Sequence, residues 1–384
     1  RHFPQLKANR KIELFFFSNM RTKLCVFLAT VLLLQALNGS YTGTLKFKAD
    51  NTFLIQQITD THYNYNQSEN DKSTAQVTDL IQMETADVIA MTGDMVSGDL
   101  WDGKSPNYYS TYWKQWTSPI DTTKKPYFYL LGNHDSQANL NRTQVMEMDM
   151  THPYSMSQVS DSSIEGASTY VLPVYDNEES EVVFYLWVFD SGSNDCEGVK
   201  GYNCIGLSQI EWYRQKTAEL EKKDGRRVPG LAFFHIPSPE WIALNNNGWV
   251  KGYKTEDTGC WSVNTGFYAA AKEMGNISGF ICGHDHDNDF MGEYYGIYLM
   301  YGRKTGYGSY GPRAYMPRGS RMFQLRYDPT AQEVTWETYI RTLYGSKEDQ
   351  TLMKWIPQLK CDRMETPGYN PDKPSDDRFL AEAQ

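Results

Sequence analysis

Short apolar runs recur along this chain, and most of them stop at a glycine or at a small group of polar residues. Thr52–Thr59 (TFLIQQIT), Ala86–Met91 (ADVIAM), Pro126–Leu131 (PYFYLL), Thr169–Tyr175, Glu181–Asp190 and Val228–Phe234 (VPGLAFF) each read as a strand, as does the run carrying Ile277, Phe280 and Ile281. Helical patterns separate several of them. A stretch from about Ser73 to Glu84 and an aromatic amphipathic segment from Tyr108 to Ile120 predict two helices. Leu207, Ile210, Tyr213, Thr217 and Leu220 recur at helical intervals, with Ser208 and Glu211 reading as a capping box and Gly225 as the stop. Val263–Met274 predicts a further helix, whereas Ser136–Glu165 reads as loop. Val334, Trp336 and Tyr339, within Glu333–Trp355, predict a last strand that closes a sheet. Strands alternating with helices define an α/β fold.

The polar groups at the strand ends carry the chemistry. Asp60-Thr-His62 follows the first strand, Thr92-Gly-Asp94 the second and Gly132-Asn133-His134-Asp135 the third; His235-Ile-Pro and Gly283-His284-Asp-His286 follow two later ones. Taken singly, each is ordinary turn chemistry: Asp-x-His past a strand is more often a polar turn than a ligand pair, and a lone histidine after an apolar run is often structural. Their repetition changes the balance. Five of the seven histidines fall in this set, and in an open α/β sheet the carboxyl ends of strands are where residues distant in sequence converge on a ligand. Asp60, His62, Asp94, Asn133, His134, His235, His284 and His286 are therefore candidates for one site. Imidazole and oxygen donors without thiolate suit Mn, Fe or Zn, and seven such residues are ample for two ions sharing a carboxylate.

Composition narrows the class. The 384 residues are 40% apolar and 14% aromatic, which fits one large globular domain. A formal charge of −10 argues against nucleic acid as a partner. Met20-Arg-Thr-Lys opens a basic segment, and Leu24–Leu37 is a 14-residue apolar core followed by Asn38-Gly-Ser40, so residues 20–40 read as a cleaved signal peptide. That core is shorter than the roughly 20 apolar residues that span a bilayer, so no stable membrane anchor is expected. Residues 1–19 are set aside as upstream or non-native sequence, 41–345 as the folded domain and 346–384 as a C-terminal extension. Export would favour a disulfide between Cys196 and Cys204, with Cys282 as a buried free thiol; Cys260 and Cys361 stay open. Glycosylation triplets begin at Asn66, Asn141 and Asn276.

The ordered set D-T-H, G-D, G-N-H-D, H-I-P and G-H-D-H, over roughly residues 52–330, resembles the calcineurin-like metallophosphoesterases. Residues 131–144, 232–240 and 283–290 are similar to the small purple-acid-phosphatase-like branch of eukaryotes. The resemblance implies a two-sheet β-sandwich flanked by helices, with a di-metal site at the strand carboxyl ends. It implies one ion on Asp60, His62, Asp94 and His286, a second on Asp94, Asn133, His235 and His284, and His134 beside the scissile phosphate. Purple acid phosphatases carry a tyrosine three residues after the bridging aspartate; Ser97 stands there, which predicts a colourless site. The implied activity is phosphomonoester hydrolysis by a metal-bridging hydroxide attacking phosphorus in line, in a secreted or lysosomal/vacuolar enzyme acting on a phosphorylated small molecule or protein. The alternatives are a phosphodiesterase of lipid headgroups or nucleotides, and an inactive binding protein on the same fold. Arg303 and Lys304, in the loop 301–308, read as a solvated basic pair.

Overall fold

A computed structural model describes residues 41–246, 250–342 and 347–349 of the chain; the signal peptide, the C-terminal extension past 349, Cys25 and Cys361 lie outside them. Two six-stranded sheets form the frame. In order across the first are β14 (Lys347–Asp349), β13 (Glu333–Thr342), β12 (Gly319–Asp328), β1 (Thr52–Ile58), β2 (Val88–Thr92) and β3 (Tyr127–Leu130). The second runs β10 (Met291–Tyr294), β11 (Ile297–Tyr301), β9 (Ile277–Cys282), β8 (Gly230–Phe233), β5 (Val182–Val188) and β4 (Tyr170–Tyr175). β1, β2 and β3 are mutually parallel, as are β5, β8, β9 and β11, while the outer strands β4 and β10 run antiparallel to their neighbours.

Side-chain alternation explains how the layers assemble. In β5, Phe184, Leu186 and Val188 join the core between the sheets, while Tyr185, Trp187 and the following Phe189 join a second core on the opposite face. β8 divides likewise, Leu231 and Phe233 inward and Ala232 outward. Phe233 touches both Phe128 and Phe323 of the other sheet, with ring centroids 5.3 and 6.0 Å apart. Strands buried on both faces read as continuous apolar runs, which is why these were legible. Helices α4 (Leu207–Asp224) and α6 (Phe267–Met274) cover the outer face of the second sheet through Ile210, Tyr213, Phe267 and Ala270. Val77 and Ile81 of α1 (Gln67–Met83) and Trp116 and Ile120 of α2 (Tyr108–Thr123) pack on the first. No helix among the described residues is long and apolar enough to cross a membrane.

Several sequence expectations are corrected here. α1 starts at Gln67, before Ser73, because its first turns are polar; its cap is Asn66, whose Oδ1 accepts from the Glu69 amide at 3.4 Å. The segment 136–165 is not all loop. It contains α3 (Arg142–Asp149), opened by a reciprocal cap between Asn141 and Gln144. The start of α4 is held by Gln209 Oε1 accepting from the Gly206 amide at 2.7 Å, and Ser208 instead bonds Glu165. β12, unforeseen, pairs with β1 and so separates β13 from it. Cys196 and Cys204 form the disulfide, closing the ribbon of β6 (Asn194–Cys196) and β7 (Val199–Tyr202); Cys282 is buried and free, and Cys260 is free and partly exposed. Of the glycosylation triplets, Asn276 is only 5% exposed and bonded to Tyr213 and Thr217, which closes it to a glycan.

Candidate metal centre

Asp60, Asp94 and Asn133 follow β1, β2 and β3 of one sheet; His235 and His284 follow β8 and β9 of the other. The backbone there is tightly constrained. Asp60, His62, Asp94 and His284 all adopt left-handed conformations, with φ of 54°, 53°, 51° and 77°, a region costly for residues other than glycine and maintained only where surrounding structure imposes it. Gly132 admits Asp94 at close range: a Cβ there would lie 2.1 Å from Asp94 Oδ1.

Two buried groups result. Asp60, His62 and His286 form one and Asp94, His235 and His284 the other, with the ligand atoms of each within 4.8 Å of one another. The groups adjoin, since His62 Nε2 is 3.7 Å from Asp94 Oδ2 and His235 Nε2 is 3.9 Å from Asp60 Oδ1. The structure thus brings together seven of the eight candidates through short contacts, His134 joining through its amide, which donates to Asp94 Oδ1 at 2.8 Å. Asn133, the eighth, is the residue before it and is buried.

The donor set fits cations. Asn133 Oδ1 and His235 Nε2 are buried without hydrogen-bond partners among the described residues, which ordinarily costs about 1–3 kcal/mol each unless something else satisfies them. His235 Nε2 lies 3.0 Å from Asp94 Oδ2 without a hydrogen bond to it, a spacing that one shared cation would accommodate. His62 Nε2 and His286 Nε2 are also 3.0 Å apart; two nitrogens each about 2.0–2.1 Å from one ion, at about a right angle, have this separation. Second partners orient the rings. His286 Nδ1 donates to the Tyr310 carbonyl at 2.9 Å and His235 Nδ1 to the Thr92 carbonyl at 2.8 Å, leaving each Nε2 facing the centre. His62 Nδ1 pairs with Ser97 Oγ at 3.0 Å. The position where purple acid phosphatases carry tyrosine therefore orients a histidine here.

Protonation suits metal ligands at three of the four candidate histidines. Burial, with help from Lys304 for His62 and His286 and from His235 for His284, lowers these three imidazoles, His284 to about 3. These three are neutral at physiological pH; at His235 burial is outweighed by Asp94 and Asp60, which raise it to about 9, so an ion bound there displaces a proton. Burial opposes ionisation of Asp60 and Asp94, but the hydrogen bond from His286 and the charge of His235 at Asp60, and the charges of His235 and His134 at Asp94, outweigh it and hold both below the usual carboxylate range. His134 differs: burial lowers it, and Asp94, Asp99 and Gln137 raise it to about 10. Its Nδ1 lies 2.7 Å from Gln137 Oε1 and 3.2 Å from Asp99 Oδ1, so Nε2 carries the mobile proton.

Sequence reasoning gave no role to several residues that shape this centre. Asp135 is buried and accepts from the amides of Asp94, Met95, Val96 and Gly132 at 2.8–3.1 Å, fixing the turn that presents Asp94. Burial and Asp94 push it up to about 6. Asp135→Asn, which turns a donor toward those amides, is expected to lower stability by roughly 2 kcal/mol and metal affinity by about 10–100-fold, checked by thermal unfolding and metal titration. Arg303 and Lys304 are a correction: both are buried. Arg303 pairs with Asp289, and Lys304 Nζ donates to the Asp60 carbonyl at 2.9 Å. Only folding, which supplies those distant acceptors, decides that the pair is internal.

The sandwich brings two adjoining groups of candidate metal ligands together at its strand ends. Residues 53–288 match the family described as calcineurin-like phosphoesterase, and the chain belongs to that family. It is similar to two Arabidopsis thaliana proteins, "Probable inactive purple acid phosphatase 29" (31% identical over 299 residues, covering 70% of this chain and 75% of that one) and "Probable inactive purple acid phosphatase 14" (31% over 300 residues, 70% and 74%). A dimetal phosphatase from Danio rerio shares the fold, with a TM-score of 0.51 at 14% identity, over 78% of this chain and 96% of that one.

Proposed function

We propose that the protein is an active di-metal phosphomonoesterase. The observation that carries this reading is the pair of buried ligand groups with His235 Nε2 and Asn133 Oδ1 left unbonded among oriented neighbours. Asp60, His62 and His286, with Asp94, would hold one ion; Asp94, Asn133, His235 and His284 would hold the other. Bound there, two cations supply Lewis acidity toward phosphate oxygens and lower the pKa of water. The donors, nitrogen and oxygen without sulfur, suit Mn, Fe or Zn.

The chain's own contribution to the chemistry is proton delivery. His134 is 30% exposed at the side chain, more than any ligand, and Gln137 and Asp99 hold its Nδ1, leaving Nε2 free to carry a proton to a substrate. As the ester P–O bond breaks, the Nε2 proton passes to the leaving alkoxide, and the resulting imidazole stays oriented by Gln137 and Asp99. His134→Ala is expected to lower kcat on an alkyl phosphate by about 10²-fold with both metals retained, and less on an aryl phosphate, whose leaving oxygen needs no proton. Equal losses on both would remove His134 from that role.

The "inactive" in the names of the Arabidopsis relatives motivates the opposing reading, a binding protein on this fold. Elemental analysis of protein purified without chelator, with assays on mono- and diesters across pH 4–8, decides between them. Near-zero metal and no turnover would overturn the phosphatase; preferential diester turnover would make it a phosphodiesterase. The Cys196–Cys204 disulfide supports, for its part, a secreted or lysosomal/vacuolar location.

A further inference from the structure

Two large aromatic side chains stay exposed directly against the candidate metal ligands. Tyr310 stacks on the His286 ring, centroids 4.1 Å apart with the planes at 26°, and is 52% exposed. Tyr202 meets His284 edge-on, centroids 4.4 Å apart at 87°, and is 39% exposed. One ring therefore sits on each ligand group.

The Tyr310 ring and the backbone that carries Tyr202 are held in place before any ligand arrives. The Tyr310 hydroxyl donates to Glu256 Oε2 at 2.8 Å, and its carbonyl accepts from the imidazole that its ring covers. The Tyr202 carbonyl accepts from the amide and the hydroxyl of Ser262, at 3.1 and 3.0 Å, and the Cys196–Cys204 disulfide closes its ribbon two residues further on. A ring whose freedom is already lost costs little more to bind against. A covering role alone does not require a planar group: any apolar side chain shields an imidazole. Fixed, half-exposed rings add what aliphatic residues lack, a face for offset or edge-to-face contact with another ring. Their position against ligand imidazoles makes the group borne on the ester oxygen the part of a substrate nearest to them.

We infer that Tyr202 and Tyr310 are specificity-determining residues, forming an aromatic clamp that favours phosphate esters whose ring is bonded directly to the ester oxygen. This rests on the phosphomonoesterase reading for the bond that is cleaved, though not for binding. The ligands it admits are aryl monoesters, either small molecules or phosphotyrosyl side chains.

The test uses non-hydrolysable probes, so it does not depend on turnover. Metal-loaded protein is titrated calorimetrically with phenylphosphonate and with methylphosphonate. The phenyl compound is expected to bind about tenfold more tightly; Tyr310→Leu and Tyr202→Leu, which keep an apolar cover over the imidazole, each reduce that ratio by about threefold or more, and Tyr310→Phe, which keeps the ring and loses only its tether to Glu256, reduces it by less than the leucine variant does. Metal content of each variant is checked in parallel, and the ratio in the unmodified protein stands even where one variant fails to fold. A ratio near one, or a ratio unchanged in metal-replete leucine variants, overturns the clamp. A peptide bearing the phosphonate analogue of phosphotyrosine separates the sources: tighter binding than phenylphosphonate assigns the site to proteins, and equal binding assigns it to small aryl esters. The two readings fail separately. Ring-dependent binding without hydrolysis of any ester would sink the phosphatase and keep the clamp, whereas hydrolysis with a ratio near one would do the reverse.

Discussion

Asp94→Asn is expected to lower phosphoester turnover by roughly 10³-fold or more, beyond the 10²–10³ typical of losing one electrostatic contact, and to reduce metal content in both ligand groups. Asp94 lies 3.0 Å from His235 Nε2 in one group and 3.7 Å from His62 Nε2 of the other, and its second oxygen accepts from the His134 amide. On the proposed di-metal reading, removing its charge weakens the hold on both ions and loosens His134 together. Asparagine is the informative replacement, since it has nearly the same shape and tolerates the φ of 51° found there. Elemental analysis and steady-state kinetics on the same preparation read the outcome. Full retention of metal and turnover would show that Asp94 is not shared between the groups.

Asp190→Asn is expected to be the most destabilising single-atom exchange, by about 3–5 kcal/mol, because it leaves the guanidinium of Arg142 without its counter-charge. Asp190 is fully buried; it accepts from Arg142 Nε at 3.0 Å, from Nη2, and from the amides of Ala167 and Gly192 at 2.6 and 2.9 Å. Arg142 also donates to the Gly132 carbonyl at 2.9 Å, so the pair ties the turn carrying Asn133 and His134 to the end of β5. Burial raises the Asp190 carboxyl, but Arg142 and the amides outweigh it and leave it below its ordinary 3.8. A depressed folded-state pKa contributes stability in full above the unfolded value, and loses it as pH falls through the folded one. The gap in Tm between the two proteins should therefore be constant from pH 5 to 8 and shrink below about pH 4. A gap that widens in acid would reverse this assignment.

How much of this was readable beforehand follows from where the information lies. β1, β2, β3, β8 and β9 are buried on both faces, so each reads as an apolar run, and each ligand-type residue is placed by the strand end just before it. The longer amphipathic helices were legible for the same local reason, whereas α3 and the polar first turns of α1 were not. β12 was not: Ser320, Arg321 and Gln324 interrupt its pattern, and Arg321 is accommodated in the interior by the carbonyls of Tyr301 and Asp289. The burial of Lys304 and Arg303 likewise depends on partners that only the fold supplies. Asp135 stood in plain view beside His134, but its role is to gather amides from two turns, and amides leave no mark in a sequence.

The helix caps at Asn66 and Asn141 bear on how glycan mapping would be done in an exported form of this protein. Both asparagines are acceptors in N-x-Ser/Thr triplets and both are exposed. Each uses Oδ1 to cap a helix, whereas a sugar would be attached through Nδ2, so one side chain can serve both purposes. Exchanging the asparagine for glutamine removes the sugar and the cap together, at about 0.5–2 kcal/mol. Any loss of secretion yield would then be misread as a need for the carbohydrate. Ser68→Ala and Thr143→Ala abolish the acceptor triplets and leave both caps in place, which makes them the cleaner pair.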